Sequence, residues 1–460
     1  VSNRAGISQM NRHPRKLADL HTHLYGCIHS ADFLEFLRDR EVDWTRYESN
    51  YHRVYGVSPL ITDVLERCRR GVAGAGAEFD RLFVFGDDDA GNFDRFQAKY
   101  NMLNHGGVMS GFWRGELPAS VVIAETCMFI HKIIARQQQQ NVGYVEHRMA
   151  LGPDGAHAQS REMLLAMLSA YAAYEDADIL ARLAISLPRD NPWPNWELVR
   201  EVALGPLGHL LTGIDFCYLE EGYPPRDQRE LFNEVKDFNR RHPERALAVL
   251  YHVGESFNDK SLESAVRWVH EAAELGAHRL GHAIALGVDP ERYGRHTRTE
   301  SVAERVDQLR YDLRHREGLD EFGVQVDVAT ATEELERISA LPMDHRITME
   351  YDEGNLDELR QRQEFAIGCV RDLGAVIEVC PTSNRRIGGI TNPEHHPVKR
   401  FIASNAPFVI ASDDPGIFGI TLADEVAWVG EHHRLPDDTM EHILDLAWSS
   451  RSEVLTGRWS

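Results

Sequence analysis

Eight short apolar runs, most of them ending in residues able to do chemistry, constrain this chain more than any other feature. They are 16–20 before His21; 143–145 before Glu146 and Arg148; 180–186 before Arg189; 211–216; 246–251 before His252; 279–281 before His282; 375–379 before Cys380; and 408–411 before Ser412. Several are continuously apolar, as strands covered on both faces should be. Helical patterns separate them. Residues 161–174 are rich in helix formers, and Leu262, Ala265, Val266, Val269, Ala272 and Ala273 follow i, i+3, i+4 spacing up to a stop at Gly276. Strand, helix and next strand there fit in about 30 residues, the length of a βαβ unit. The pattern predicts an α/β fold, a (β/α)8 TIM barrel, in which chemistry gathers at the C-terminal strand ends. An open doubly wound sheet would instead carry a glycine-rich phosphate loop after an early strand, and none is present.

A bare barrel needs about 250 residues, and this chain has 460. The excess falls in two long inserts, about 25–141 after strand one and 283–374 after strand six. In the second, Val302, Val306, Leu309 and Leu313 predict an amphipathic helix. Thr330-Ala331-Thr332-Glu333 reads as a capping box opening a helix toward Leu335 and Ile338. In the first, Ala73-Gly74-Ala75-Gly76 reads as a turn. Residues 1–16 lack an apolar signal core and are expected to be a flexible N-terminal arm, leaving 17–460 as a single barrel domain with its inserts.

Charge and cysteine content narrow the partners. A formal net charge of -22 disfavours extended nucleic acid and anionic membranes, and no apolar run approaches the ~18 residues of a membrane span. The six cysteines lie far apart with no Cys-x-x-Cys pair, which fits free thiols in a reducing cytoplasm. A small-molecule substrate is the expected partner. A homo-oligomer formed through the inserts stays open.

His21-Thr22-His23 presents two imidazoles on one side of a strand end, and neutral imidazole is a common metal ligand. A catalytic zinc site keeps three or so protein ligands and leaves a position for water. His21, His23, His252 and Asp413 would make such a set, since strands eight and one are neighbours in a closed barrel. Metal-bound water can attack as hydroxide near neutral pH. Glu255, three residues after His252, suits a proton shuttle. Alone it would read as a solvated loop carboxylate, but Gly254 permits a tight turn back toward the metal. His282 could orient or deprotonate the water, or be a satisfied core histidine. Asp414 beside Asp413 suits a substrate hydrogen bond, and adjacent carboxylates repel unless a cation is close.

Taken together, Leu20-His21-Thr22-His23-Leu24, Tyr144-Val145-Glu146-x-Arg148, His252-x-Gly254-Glu255, Gly281-His282, Glu378-Val379-Cys380-Pro381-Thr382-Ser383-Asn384, His396-Pro397 and Ser412-Asp413-Asp414-Pro415 resemble the adenosine/AMP deaminase family of the metal-dependent amidohydrolase superfamily. The resemblance implies one Zn2+ per chain on His21, His23, His252 and Asp413. It implies that Glu255 protonates a purine ring nitrogen, that His282 positions the hydroxide and that Asp414 holds a second ring nitrogen. His23, Tyr25, Tyr218 and Asp414 are the substrate-facing candidates. The His-x-Glu and Pro-Cys-x-x-Cys signature of cytidine-type deaminases is absent, and no lysine follows strand four to bridge two metals.

Departures concern the substrate side. Tyr25 stands where the family's adenosine enzymes carry a ribose-holding Asp. Val253 replaces an Ala, Ala283 a Gly, and Tyr218 a Gly that contacts substrate. The expectation is therefore a zinc aminohydrolase deaminating adenosine or a related aminopurine, whether nucleoside, nucleotide or modified base. The alternatives are a catalytically retired barrel serving as a ligand-binding or assembly module, and amide or ester hydrolysis by the same metal-activated water.

Overall fold

The computed structural model describes residues 15–106, 118–151, 157–217, 219–256 and 258–458. Ten strands are present among them: β1 (Leu17–His23), β2 (Val142–Ala150), β3 (Leu180–Ser186), β4 (Leu211–Asp215), β5 (Ala248–Val253), β6 (Arg279–His282), β7 (His296–Ser301), β8 (Arg346–Tyr351), β9 (Val376–Val379) and β10 (Phe408–Ile410). Eight form one sheet in the order β1-β2-β3-β4-β5-β6-β9-β10. Every pair is parallel. Closure comes just beyond β10, where Asp413 bridges in parallel to Thr22. Asp413 N–H donates to His21 O at 2.9 Å, and His23 N–H donates to Asp413 O at 2.8 Å. The eight expected strands all form the barrel.

Several strands run further than the apolar runs did. β1 continues through His23, and β2 through Glu146, His147 and Arg148. The barrel interior tolerates Glu146 and Arg148 because each has an opposite partner, and burying an unpaired charge would cost several kcal/mol. Arg279 of β6 ion-pairs with Glu378 of β9 at 3.0 Å and with Glu146 of β2. Glu146 in turn accepts from Ser452 N–H and Oγ at 2.7 Å each, so the short helix Ser452–Leu455 is tied into the barrel interior. Apolar packing beside this network comes from Ala18, Leu20, Tyr144, Val376, Val409 and Ala447.

The helix between β5 and β6 runs Leu262–Leu275, with Ser261 Oγ accepting from Ser264 N–H and Gly276 closing it at φ 101°. Between β1 and β2 lie six α-helices among the described residues: Ser30–Leu37, Thr45–Tyr55, Ile61–Arg69, Ala75–Phe83, Phe93–His105 and Ala119–Gln139. The expected turn at 73–76 is only half a turn. Gly74 is left-handed at φ 85°, but Ala75 and Gly76 already belong to a helix. Between β6 and β9 the amphipathic pattern at 302–313 is a helix, Val302–Glu321. The next helix starts two residues before Thr330, at Val328, because Asp327 Oδ1 accepts the Thr330 N–H at 2.8 Å and acts as the cap. That corrects the capping box expected at Thr330. The antiparallel pair β7–β8 stands outside the barrel sheet. The flexible arm expected at 1–16 falls almost wholly outside the described residues; Lys16 directly precedes β1. Among the described residues, no helix is long and apolar enough to cross a membrane.

Candidate active site

The C-terminal ends of β1, β5, β6 and β10 meet at one point. The ring centroids of His21 and His252 lie 4.5 Å apart, those of His21 and His23 5.5 Å, and those of His23 and His252 5.3 Å. Each of the three offers a ring nitrogen within 4.8 Å of the other two. Asp413 Oδ1 stands 3.2 Å from His23 Nε2 and 3.7 Å from His21 Nε2. His282 joins them, its centroid 4.9 Å from that of His21 and 5.3 Å from that of His252. Backbone strain marks the same spot: His282 and Asp413 sit in the left-handed region at φ 63° and 62°, a conformation that costs a non-glycine residue about 1–3 kcal/mol.

Two of these imidazoles are held from behind. His21 Nδ1 is 2.9 Å from Glu378 Oε2, and His252 Nδ1 is 3.0 Å from Asp215 Oδ1. Their Nε2 atoms, buried, have no hydrogen-bond partner. Arg148 lies between the two carboxylates, donating to Glu378 Oε2 at 2.5 Å and to Asp215 Oδ1 at 3.3 Å. Burial holds His21 well below the ordinary histidine range, with Arg148 and the neighbouring histidines adding to the effect. Burial also takes His252 down to about 4 and His282 to about 3. Neutral rings with a free, inward nitrogen are what a metal ligand requires. His23 goes the other way: its bond to the Asp413 carboxylate, with Asp414 near, outweighs burial and raises it. Burial pushes up Asp413 too, but His23 and His282 override it and keep the carboxylate ionised. A second trio, His21, His282 and Cys380, is equally compact. Burial drives the Cys380 thiol well above its usual range, and a protonated thiol is a poor ligand.

Around this centre stand two further carboxyl groups, Glu255 and Asp414. Glu255 Oε2 is 3.6 Å from His282 Nε2, while Asn384 Nδ2 donates to His282 Nδ1 at 3.2 Å and so leaves the proton on Nε2. Burial raises the Glu255 carboxyl well above its usual range, reinforced by Asp413 and Glu220. Asp414 is likewise pushed up, to about 8, by burial and by Asp413 beside it. Its Oδ1 is buried without a partner. That carboxylate lies against Gly26, where a Cβ would come within 1.7 Å of Oδ1.

The structure thus brings together His21, His23, His252, Asp413, Glu255, His282 and Asp414. The Tyr25 ring is buried in the main apolar core, and its hydroxyl meets Thr126 Oγ1 at 3.4 Å. Tyr218 lies outside the described residues. Sequence reasoning assigned no part to Asp215 or Tyr100, and quoted Asn384 only within the motif that ends on it. Asp215 closes an apolar run, and a charge at a buried strand end was the available signal. Tyr100 comes from the helix Phe93–His105 and is half-buried; among the charges acting on its hydroxyl, Asp414 is the strongest. Nothing local in the sequence connects it to the barrel mouth.

Comparison with known proteins follows the geometry. Residues 320–450 match the family model described as adenosine deaminase. An aminodeoxyfutalosine deaminase of Acidothermus cellulolyticus is 31% identical over 108 residues, 20% of this chain and 30% of that protein. The adenine deaminase of Saccharomyces cerevisiae is 24% identical over 226 residues, 49% of this chain and 57% of that protein. These alignments span less than two thirds of either relative. In three dimensions, the adenine deaminase of Arthrobacter aurescens superposes with a TM-score of 0.51 at 15% identity, covering 96% of this chain and 98% of that one. The chain resembles adenosine deaminases in its motifs and shares the barrel fold of a solved adenine deaminase.

Proposed function

We propose that this barrel is a zinc-dependent aminohydrolase that releases ammonia from adenosine or a related aminopurine. One observation carries the reading: His21 and His252 turn unpartnered Nε2 atoms toward the space shared with His23 and Asp413, while their Nδ1 atoms are fixed by Glu378 and Asp215. An orphaned buried nitrogen costs about 1–3 kcal/mol unless something fills the gap, and three imidazoles with a carboxylate are a zinc donor set. When bound, such an ion supplies Lewis acidity that brings the pKa of water toward neutrality.

The chain's own groups supply the rest. Glu255, its carboxyl raised well above the usual range by burial and by Asp413, delivers a proton to the ring nitrogen beside the attacked carbon. His282, its tautomer set by Asn384, orients the attacking water. Asp414, its carboxyl pushed up by burial and by Asp413 beside it, donates a hydrogen bond to another ring nitrogen. A new C–O bond then replaces the broken C–N bond; of the two protons the water gives up, one leaves on the amine nitrogen as ammonia and the other restores the Glu255 acid. Relatives named adenine deaminase and aminodeoxyfutalosine deaminase support an aminopurine substrate.

The test is metal analysis followed by an ammonia-release screen over adenine, adenosine, AMP and N6-modified purines. About one zinc per chain and turnover of at least one compound are expected, with activity lost on chelation and regained with zinc. A zinc-free protein, or one releasing no ammonia from any compound, defeats the proposal.

A further inference from the structure

The turn that carries Glu255 hangs on a carboxylate from a different strand exit. Gly254 N–H donates to Glu220 Oε1 at 3.0 Å, and the N–H groups of Glu255 and Ser256 donate to Oε2 at 3.2 Å each. Three consecutive amides converging on one anion form a backbone nest, filled here by the chain's own side chain. Gly254 makes the turn possible. It sits at φ 67°, and a Cβ there would lie 2.6 Å from Val269 Cγ2 and 3.1 Å from Ala285 Cβ. The turn therefore has no slack on its outer side.

Glu220 is buried and fixed in its surroundings. It lies beyond β4, where Arg189 donates to Phe216 O at 2.6 Å and to His252 O at 2.7 Å. That guanidinium ties the exits of β4 and β5 together directly behind the turn. Lys260 and Arg189 supply the positive charge around the Glu220 carboxylate. Both of its oxygens are taken up by the turn, and it is not among the residues surrounding the candidate metal.

We propose that Glu220 is a positioning residue that fixes where the Glu255 carboxyl stands and thereby sets the rate of proton delivery to the substrate. The inference rests on the aminohydrolase reading above. Glu220→Gln is the informative change, because it keeps the shape while replacing one acceptor oxygen with an NH2 group that faces backbone donors. The turn must then shift, and a displacement of about 1 Å at a reacting group costs about 100-fold in rate.

The experiment compares wild type, Glu220→Gln, Glu255→Gln and the double variant, with zinc content and thermal midpoint recorded for each. Glu220→Gln should lower kcat by about 100-fold with KM and zinc content little changed. In the Glu255→Gln background the same substitution should cost almost nothing more, because residues acting through one another are not additive. Amide hydrogen exchange at 254–256 should also be faster in Glu220→Gln. A kcat equal to wild type overturns the proposal, as does a full second loss in the double variant. If wild type itself turns over no panel compound, the aminohydrolase reading fails; unchanged exchange at 254–256 would then overturn the positioning role separately.

Discussion

At the scale of single residues, the site depends on one close approach that the sequence motif left implicit. Gly26 follows β1 by three residues, and the Asp414 carboxylate occupies the space where its side chain would be. Gly26→Ala should therefore displace Asp414 without touching a metal ligand. We expect ammonia release to fall by about 100-fold and stability by about 1–3 kcal/mol, the usual cost of overpacking, with zinc retained. Steady-state kinetics and urea melts read both, and a variant as active as wild type would show that Asp414 need not stay where it is. The candidate ligands and proton carriers were legible because they cluster in short motifs at strand ends. Asp215 and Glu220 were not, since each acts from the end of one strand on the exit of the neighbouring strand, more than thirty residues away in sequence, and contact of that kind leaves no local spacing to read.

Among the elements, the helix Pro381–Arg386 shows how loop chemistry depends on a distant partner. Its Thr382 N–H donates to Glu425 at 3.0 and 3.2 Å, and burial raises Glu425 from 4.5 to about 8. An acid whose folded pKa exceeds its unfolded value keeps its proton when folded and loses it when unfolded. Its contribution is therefore fully present below about pH 4.5 and is lost progressively as pH rises toward 8. Glu425→Gln, which cannot ionise, should lose stability less steeply than wild type between those limits in denaturant melts; parallel curves would refute the assignment. The elements legible in the sequence were those with apolar periodicity, the barrel strands and the helix Leu262–Leu275. β7 (HTRTES) and β8 (RITMEY) went unseen because they form a two-stranded ribbon with mostly exposed faces, so no apolar run announces them. The ribbon is nonetheless joined to the barrel, for Glu300 of β7 accepts from Ser261 N–H at 3.2 Å and Ser264 Oγ at 3.1 Å, at the start of the helix that follows the Glu255 turn.

Across the whole molecule, one chain of buried charges connects the candidate metal site to the far end of the barrel. Glu378 braces His21 and pairs with Arg148 and Arg279; Arg279 reaches Glu146 and donates to Ser450 O at 3.0 Å; Glu146 binds Ser452. Such a network adds little net stability over an apolar core, but removing one member leaves uncompensated charge and costs about 3–5 kcal/mol. Arg279→Met takes away the cation shared by Glu378 and Glu146. Glu378 would then keep Arg148 alone, and the brace behind His21 would loosen. The expected result is a loss of about 3–5 kcal/mol in urea unfolding together with a 10- to 100-fold weaker zinc affinity, roughly the penalty for disturbing a group that orients a ligand. Both effects from a substitution on β6 that touches no ligand would mean that the barrel interior and the metal site form one electrostatic unit; destabilisation with unchanged zinc affinity would separate them.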